Sequence, residues 1–481
     1  MRPLNRQTAG LPPAYPVKVL QFGEGNFLRG FADWIIDVLN EKTAFAGAVV
    51  VVQPRDRPRH TIQALRRQDG LYHVLLSGLQ GGEPTRHSRL VTCIAGALNP
   101  YDDYAAFLRL GQNPDLRFIF SNTTEAGIMY DENDTSIDAI PASFPGKLTA
   151  LLHRRYGHFH GAEGKGLVII PTELIEGNGD ALRRIVLQYA RTWGLPRGFA
   201  DWVQGHTLFC NTLVDRIVPG FPRGTIGEVQ RELGYADELV VTAEPYHLLV
   251  MEAPEAVKQE FPAGEAGLQV KFVPDLTPWR ASKVRILNGA HTALVPVAYL
   301  RGLRTVREAV EDEQVGRFIR EAIHEEILPT LDMPRGELEQ FAGDVLERFR
   351  NPFIRHELLS IALNAVSKYR VRVLPSVLAY TERRGELPER LLHALAALLL
   401  FYRGEWRGER IPLSDEPGVL QFFEQAWRGG DPAAAVAEAL ANAGLWGTDL
   451  TRVRGLQDMV TQQVLLLMKS ETKPLERDNL Q

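Results

Sequence analysis

The sequence predicts an α/β chain in two parts, a doubly wound parallel sheet followed by a largely α-helical domain. Three observations predict it. Apolar runs such as VKVLQF (17–22) and AVVVVQPRDR (48–57) are continuous and β-branched, as strands buried on both faces are. Helical segments alternate with them, the signature of βαβ units. From about residue 304 the pattern turns almost wholly helical, with proline and glycine at short intervals, as in a packed bundle. The change of character puts a boundary near Pro274 to Pro278, hence an expected sheet domain over residues 1–276 and an all-helical domain over 277–481.

Composition narrows the function classes. A chain of 481 residues exceeds one typical domain, and 45% hydrophobic with 23% charged residues is ordinary for a globular protein. The net charge of -5 supplies no basic field for nucleic acid or an anionic membrane surface, so neither is an expected partner. With only Cys93 and Cys210, no disulfide framework or cysteine-rich zinc site can be built, and a reducing cytoplasm fits. The polar, proline-rich start has no secretory core, and the longest apolar run, HALAALLLFY (393–402), is too short to span a bilayer. No ligand cluster suggests a metal.

The first strand runs into GEGNFLRGFADWIIDVLNE, a Gly23-x-Gly25 turn entering an amphipathic helix. In a Rossmann-type dinucleotide-binding unit the first glycine permits the sharp turn. The second lets the backbone approach a pyrophosphate seated on the helix N-terminus. Phe22, Gly23, Gly25, Asn26, Phe27 and Arg29 are therefore expected cofactor contacts. The third glycine of the fingerprint is displaced, since Leu28 stands there with Arg29 and Gly30 behind it. A helix merely entered by a glycine turn, with Arg29 in solvent, is the plainer alternative. The acidic residue that would hold a ribose diol is absent from the end of the second strand, where Gln53, Pro54 and Arg55 stand. This position leaves NAD and NADP both open, and Arg55 or Arg57 could attract a 2′-phosphate.

Further strands are expected within 90–100, 116–127 and 166–175. Ligands of such sheets bind beyond the carboxyl ends of the strands, so Asn122, Thr123 and Glu125 should face the cofactor, although Asn122 or Thr123 could equally cap the next helix. Asn178 is either a turn asparagine ahead of an Asp180 N-cap or a site amide. Asp215 and Arg216 form an ion-pair candidate inside an apolar run, paired for structure or part of a site.

The most informative stretch is SKVRILNGAHTALVPVAYLRGL, Ser282 to Leu303. Asn288 and His291, three residues apart, share one helix face, while Lys283 lies at the expected helix entrance. Singly, each has an ordinary structural reading. The run around them is apolar nearly all round, and polar groups on a buried helix need partners or a purpose. The boundary just before it puts this helix at the expected mouth between the two domains, a usual place for a substrate cleft.

Taken together, the Gly23-x-Gly25-x-x-x-Arg29 loop, VDRIVP (214–219), the Lys283, Asn288 and His291 spacing and RFRNP (348–352) resemble the polyol-specific long-chain dehydrogenases, the mannitol dehydrogenase group, over nearly the whole chain. Within that family LQFGEGNFLRGF, FSNTTEAG, TLVDRIV, KVRILNGAHTALVPVA and NPFIRHELLSIALN look like members acting on keto-hexuronates. The resemblance implies NAD(H)-linked hydride transfer with a small sugar acid as substrate. It casts Lys283 as general acid/base, Asn288 and Asn178 as alkoxide partners, His291 as a substrate ligand and Asp215 as a substrate-side carboxylate. It also implies a monomer or small homo-oligomer. Where sugar-alcohol members carry an aspartate and an arginine after RFxNP, this chain has His356 and Ser360. A uronate needs a cationic clamp, for which Arg355, Lys368, Arg370 and Arg372 are the nearby candidates, with His356 beside them. A reductase for the isomeric keto-hexuronate fructuronate, or a hexitol dehydrogenase, with the same machinery is the alternative enzyme, and a silent dinucleotide sensor is the alternative from another class.

Overall fold

Six parallel strands form the central sheet in the computed structural model, which describes residues 1–471: β1 Val17–Phe22, β2 Ala48–Val52, β3 Ile94–Leu98, β4 Phe118–Ser121, β5 Val168–Pro171 and β6 Leu208–Phe209. Their spatial order is β3-β2-β1-β4-β5-β6, the doubly wound arrangement with its switch point between β1 and β4. Alternation along the strands builds two cores. Val19, Val49 and Val51 face one way, onto Ile35 and Leu39 of the helix Ala32–Lys42 and the Phe31 that precedes it. Leu20, Phe22, Val50 and Val52 face the other, onto Phe144, Leu148 and Leu151 of the helix Phe144–His158. Each fully buried apolar side chain is worth about 1.5–3 kcal/mol, so a strand of this kind is held by both layers at once.

The chain divides into two compact units, Met1–Ser77 with Thr85–Leu276, and Gly78–Pro84 with the chain from Thr277 onward. The short Gly78–Pro84 segment is the exception to a single cut in sequence. It joins two strands outside the expected set, Tyr72–Gln80 and Glu83–Val91. The second of these is mostly exposed and charged, so an apolar-run criterion passes over it, and the expected strand at 90–100 divides between its end and β3. Two further strands, Leu248–Glu252 and Val270–Val273, join Thr212–Asp215 in a separate three-stranded sheet.

Helices dominate the second unit, which also holds a short hairpin, Glu405–Trp406 and Glu409–Arg410. Glu389–Phe401 buries every residue from Ala394 to Phe401 and packs on Gly289–Leu300 and Leu456–Glu471. The apolar run at 393–402 is thus a core helix, and among the described residues no helix is long and apolar enough to cross a membrane. The expected helical run at 356–385 divides into Leu358–Ile361, Ala365–Arg372 and Leu374–Arg384. Asn364 takes a left-handed conformation (φ 52°) at the first break, and Pro375 follows the second.

Candidate active site

In the first unit the glycine loop lies at the carboxyl end of β1. Gly23 has φ +125°, and an added Cβ would meet the Asn122 carbonyl oxygen and Leu28 Cδ1, each at 3.0 Å. Only glycine fits both the dihedral and the gap. A Cβ on Gly25 would meet nothing within 4 Å, which leaves that backbone approachable. Gly25 caps a short helix, Asn26–Gly30, which breaks at Phe31 before Ala32–Lys42 continues. The displaced third glycine is accounted for by Gly30, where a Cβ would meet Val241 Cγ1 at 3.0 Å and Val218 Cγ1 at 3.1 Å. Leu28, at the usual glycine position, is instead buried in the core. Gly23→Ala is expected to weaken NADH binding at least tenfold and to lower stability by about 1–3 kcal/mol, the typical cost of a forced non-glycine backbone. Titration with NADH and a thermal melt would show it, and unchanged affinity would remove the loop from the binding site.

Several expected cofactor contacts prove to be framework. Phe22 is fully buried against Phe144, with ring centroids 4.9 Å apart, so its ring belongs to the core. Arg29 is not in solvent: it is buried, donating Nε to the Glu24 carbonyl at 3.1 Å and Nη2 to Asn26 Oδ1 at 2.7 Å. Its guanidinium ties the loop from within. Phe27 stacks on Phe31 at 5.0 Å, while Asn26 is exposed. Beneath them Gln21 Nε2 donates to the Gly23 carbonyl at 3.0 Å, and Tyr72 Oη donates to Asp33 Oδ2 at 2.9 Å. Asp33 is completely buried, and its pKa is pushed up to about 7 by that burial against the opposing bonds from Tyr72 and Gln21.

Sequence spacing missed Glu24. Lying between the two glycines, it is near Gln53 at the carboxyl end of β2, where the strand itself has no acid. Burial raises its pKa above the ordinary value, against the pull of Arg57 and Arg29. Asp56 instead pairs with Arg59 at 3.1 Å. Beyond β2 and β4 a cavity of about 470 Å³ is lined by Pro54, Arg55, Thr123, Tyr130 and Ser143 among others. Thr123 donates its hydroxyl to Glu173 at 3.0 Å and Asn122 Nδ2 donates to the Thr172 carbonyl at 3.0 Å, so both side chains brace the crevice wall. Glu125 opens the 3-10 turn Glu125–Gly127.

Asn178 is the first residue of the helix Asn178–Thr192, and Gly177, not Asp180, takes the cap position. Its amide is fully engaged. Nδ2 donates to the carbonyls of Pro171 (3.0 Å) and Glu173 (3.1 Å), and Oδ1 accepts from the amides of Gly179 and Thr212 (2.9 Å each). A contact with substrate oxygen would require one of these bonds to be exchanged. Asp215 is buried at the end of Thr212–Asp215. Arg216 donates to the carbonyls of Glu244 (2.9 Å) and Gly30 (2.8 Å) and lies 4.2 Å over the Trp34 ring, a structural staple.

In the second unit Lys283 does not begin a helix. An α-helix, Thr277–Ser282, precedes it, Lys283–Asn288 is a π-helical turn, and Gly289–Leu300 resumes the α-helix. In an α-helix of about 100° per residue, positions 283 and 288 would stand about 140° apart. The wider π turn, closed by i→i+5 bonds, brings them toward one side. His291 stacks on Phe349, centroids 4.0 Å apart, and meets His356 edge-on at 5.1 Å. Its Nε2 is a buried nitrogen that has no hydrogen-bond partner among the described residues. Burial, then His356, Arg348 and Arg372, hold its pKa well below the ordinary value, so the ring is neutral at neutral pH. A neutral imidazole can donate or accept one hydrogen bond but carries no proton to give as an acid.

The clamp candidates separate clearly. Arg355 is exposed and paired with Glu357 at 2.5 Å, and Lys368 donates Nζ to the Ile361 carbonyl at 2.9 Å. Arg370 is exposed. Arg372 and, from the RFRNP segment, Arg348 are the cations that act on His291. Sequence reasoning used Arg348 as a family marker and gave it no site role. Among the described residues no group of three or more His, Cys, Asp or Glu side chains is placed to hold a metal ion.

A doubly wound domain with a glycine loop at its switch point, joined in sequence to a helical unit carrying Lys283, Asn288 and His291, is the architecture of a two-domain dehydrogenase. The chain belongs to the mannitol dehydrogenase family: residues 17–263 match the mannitol dehydrogenase Rossmann domain and residues 275–468 the mannitol dehydrogenase C-terminal domain. It is thus a dehydrogenase acting on a CH–OH group. The altronate oxidoreductase of Bacillus subtilis (strain 168) is 50% identical over 462 residues, 96% of this chain and 94% of that one. That of Escherichia coli O7:K1 (strain IAI39 / ExPEC) is 47% identical over 486 residues, 99% and 100% of the two chains. Two solved structures share the fold. Substrate-free D-sorbitol dehydrogenase superposes with a TM-score of 0.78 at 24% identity, covering 97% of this chain and 98% of that one. Pseudomonas fluorescens mannitol 2-dehydrogenase, in complex with NAD and D-mannitol, gives 0.66 at 22% identity, covering 97% of each.

Proposed function

We propose that this chain interconverts D-tagaturonate and D-altronate with NAD(H) as its redox partner. The observation that carries the proposal is the π turn, which turns Lys283 and Asn288 toward one side with His291 one α turn further on. The substrate assignment is supported by end-to-end likeness to altronate oxidoreductases. The Gly23–Gly25 loop and the cavity beyond β2 and β4 suit a dinucleotide, and Glu24 offers a carboxylate for a ribose diol, which favours NAD over NADP.

Bound NADH supplies the hydride that reduces the keto carbon. Lys283 Nζ gives a proton to the carbonyl oxygen as it becomes an alkoxide, and takes it back in the oxidative direction. Asn288 hydrogen-bonds that oxygen, and the unpartnered Nε2 of His291 binds a substrate hydroxyl. Neutral His291 cannot take the role of the acid, which leaves it to Lys283. Both cysteines are buried and unpaired, in keeping with a reducing cytoplasm, and the substrate is a small molecule that needs no macromolecular partner.

The test is loss of NADH absorbance when purified protein meets D-tagaturonate, with D-fructuronate and D-fructose in parallel and NADPH as the cofactor control. Fast oxidation with D-tagaturonate alone is expected. Activity confined to fructuronate or fructose would overturn the substrate, and silence with all three would overturn the enzyme.

A further inference from the structure

A keto-uronate differs from a ketose by one carboxylate, and a buried carboxylate needs a cation that no protein acid already occupies. The second unit offers few. Arg355 is paired with Glu357, Arg285 donates to the Thr330 carbonyl at 3.1 Å, and Lys368 donates to the Ile361 carbonyl. Arg372 is different: its guanidinium is half-buried, and among the described residues it has neither a carboxylate nor a hydrogen-bond partner. Burial without an acid lowers its pKa below the ordinary value.

Its position is fixed by backbone contact. Arg372 ends the helix Ala365–Arg372, and its carbonyl oxygen lies 2.9 Å from where a Cβ on Gly289 would stand. Gly289 opens the helix that carries His291 two residues later. Arg348 immediately precedes Phe349, the ring stacked 4.0 Å from His291, and His356 closes on the imidazole edge at 5.1 Å. Two arginines therefore lie near the start of this helix beside two imidazoles that burial keeps neutral, in a chain of net charge -5.

We propose that Arg372, held against Gly289 and flanked by Arg348 and His356, is the clamp for the substrate carboxylate and sets the preference for sugar acids over neutral sugars. The inference rests on the keto-uronate reading above. Loss of the fork should weaken binding of the acid in ground state and transition state alike, so it should appear in KM and not in kcat.

The experiment compares wild type, Arg372→Met and Arg372→Lys in steady-state kinetics with D-tagaturonate and with the uncharged ketose D-tagatose. For Arg372→Met we expect KM for D-tagaturonate to rise about 10- to 100-fold, as for loss of one charge-assisted pair, with kcat within about threefold. Turnover of D-tagatose should be unchanged, and Arg372→Lys should recover part of the affinity. An unchanged KM for the acid would overturn the proposal. So would a fall in kcat alone, or an equal loss with acid and ketose in both variants, the mark of a merely structural residue. If the wild type reduced no keto-uronate, the function itself would fall and the clamp with it. Wild-type turnover of D-tagaturonate beside an unaffected Arg372→Met would sink the clamp alone.

Discussion

Lys283→Ala is expected to lower the turnover of D-tagaturonate by about 100- to 10,000-fold, the usual contribution of a positioned general acid, while leaving the affinity for NADH unchanged. Lys283 is the first residue of the π turn that ends at Asn288, and in the proposed reaction that turn would bring both to one carbonyl oxygen. No neighbour on the same helix can substitute, because Asn288 has no titratable proton and His291 is neutral. Stopped-flow reduction with a parallel NADH titration separates the two effects. Turnover within threefold of wild type would end the general-acid assignment, and a parallel loss of NADH affinity would make Lys283 a structural residue.

A second large effect is expected from Asp33, beneath the glycine loop. Its pKa rises from 3.8 to about 7 in the folded protein. The folded state then holds this proton more tightly than the unfolded chain. The stabilisation is complete below the unfolded value near 4 and is lost as the pH climbs through about 7. At 1.36 kcal/mol for each pKa unit, the difference between the two ends is on the order of 4 kcal/mol. Asp33→Asn keeps an acceptor for Tyr72 and carries no charge, so it mimics the protonated acid at every pH. Melting temperatures taken between about pH 5 and pH 8 should fall with rising pH in the wild type more steeply than in Asp33→Asn. Parallel curves would show that Asp33 is ionised throughout.

Much of the fold is legible in sequence because its signals are local. The β-branched run at Ala48–Val52 can only be a strand buried on both faces, and Gly23 is demanded by its own backbone angle. Glu83–Val91 is not legible in the same way, since an exposed charged strand has no apolar period to read. At the site, Lys283, Asn288 and His291 can be named from spacing, but an α-helical template puts Lys283 at an entrance that the structure moves upstream to Thr277. A π turn has no compositional mark of its own. Arg29 and Phe22 mislead for a related reason. Both belong to the loop motif, yet whether a side chain faces a ligand or the core depends on partners more than 100 residues away for Arg29, whose buried Nη1 donates to the Leu239 carbonyl at 2.5 Å, and on Phe144 for Phe22.

Gly289 has a consequence for how such a protein could be redesigned. Two helices approach there until a bare Cα faces the carbonyl of Arg372, with the Val284 carbonyl 3.5 Å from the same would-be Cβ. A methyl group at this point would act as a wedge, prising the end of one helix from the start of the other. If Arg372 is the clamp proposed above, the reach from the reacting carbonyl to the cation that reads the far end of the sugar acid would be gauged by an absent side chain. Substrate length could be retuned by altering residue 289 alone, with every polar group of the site left as it is.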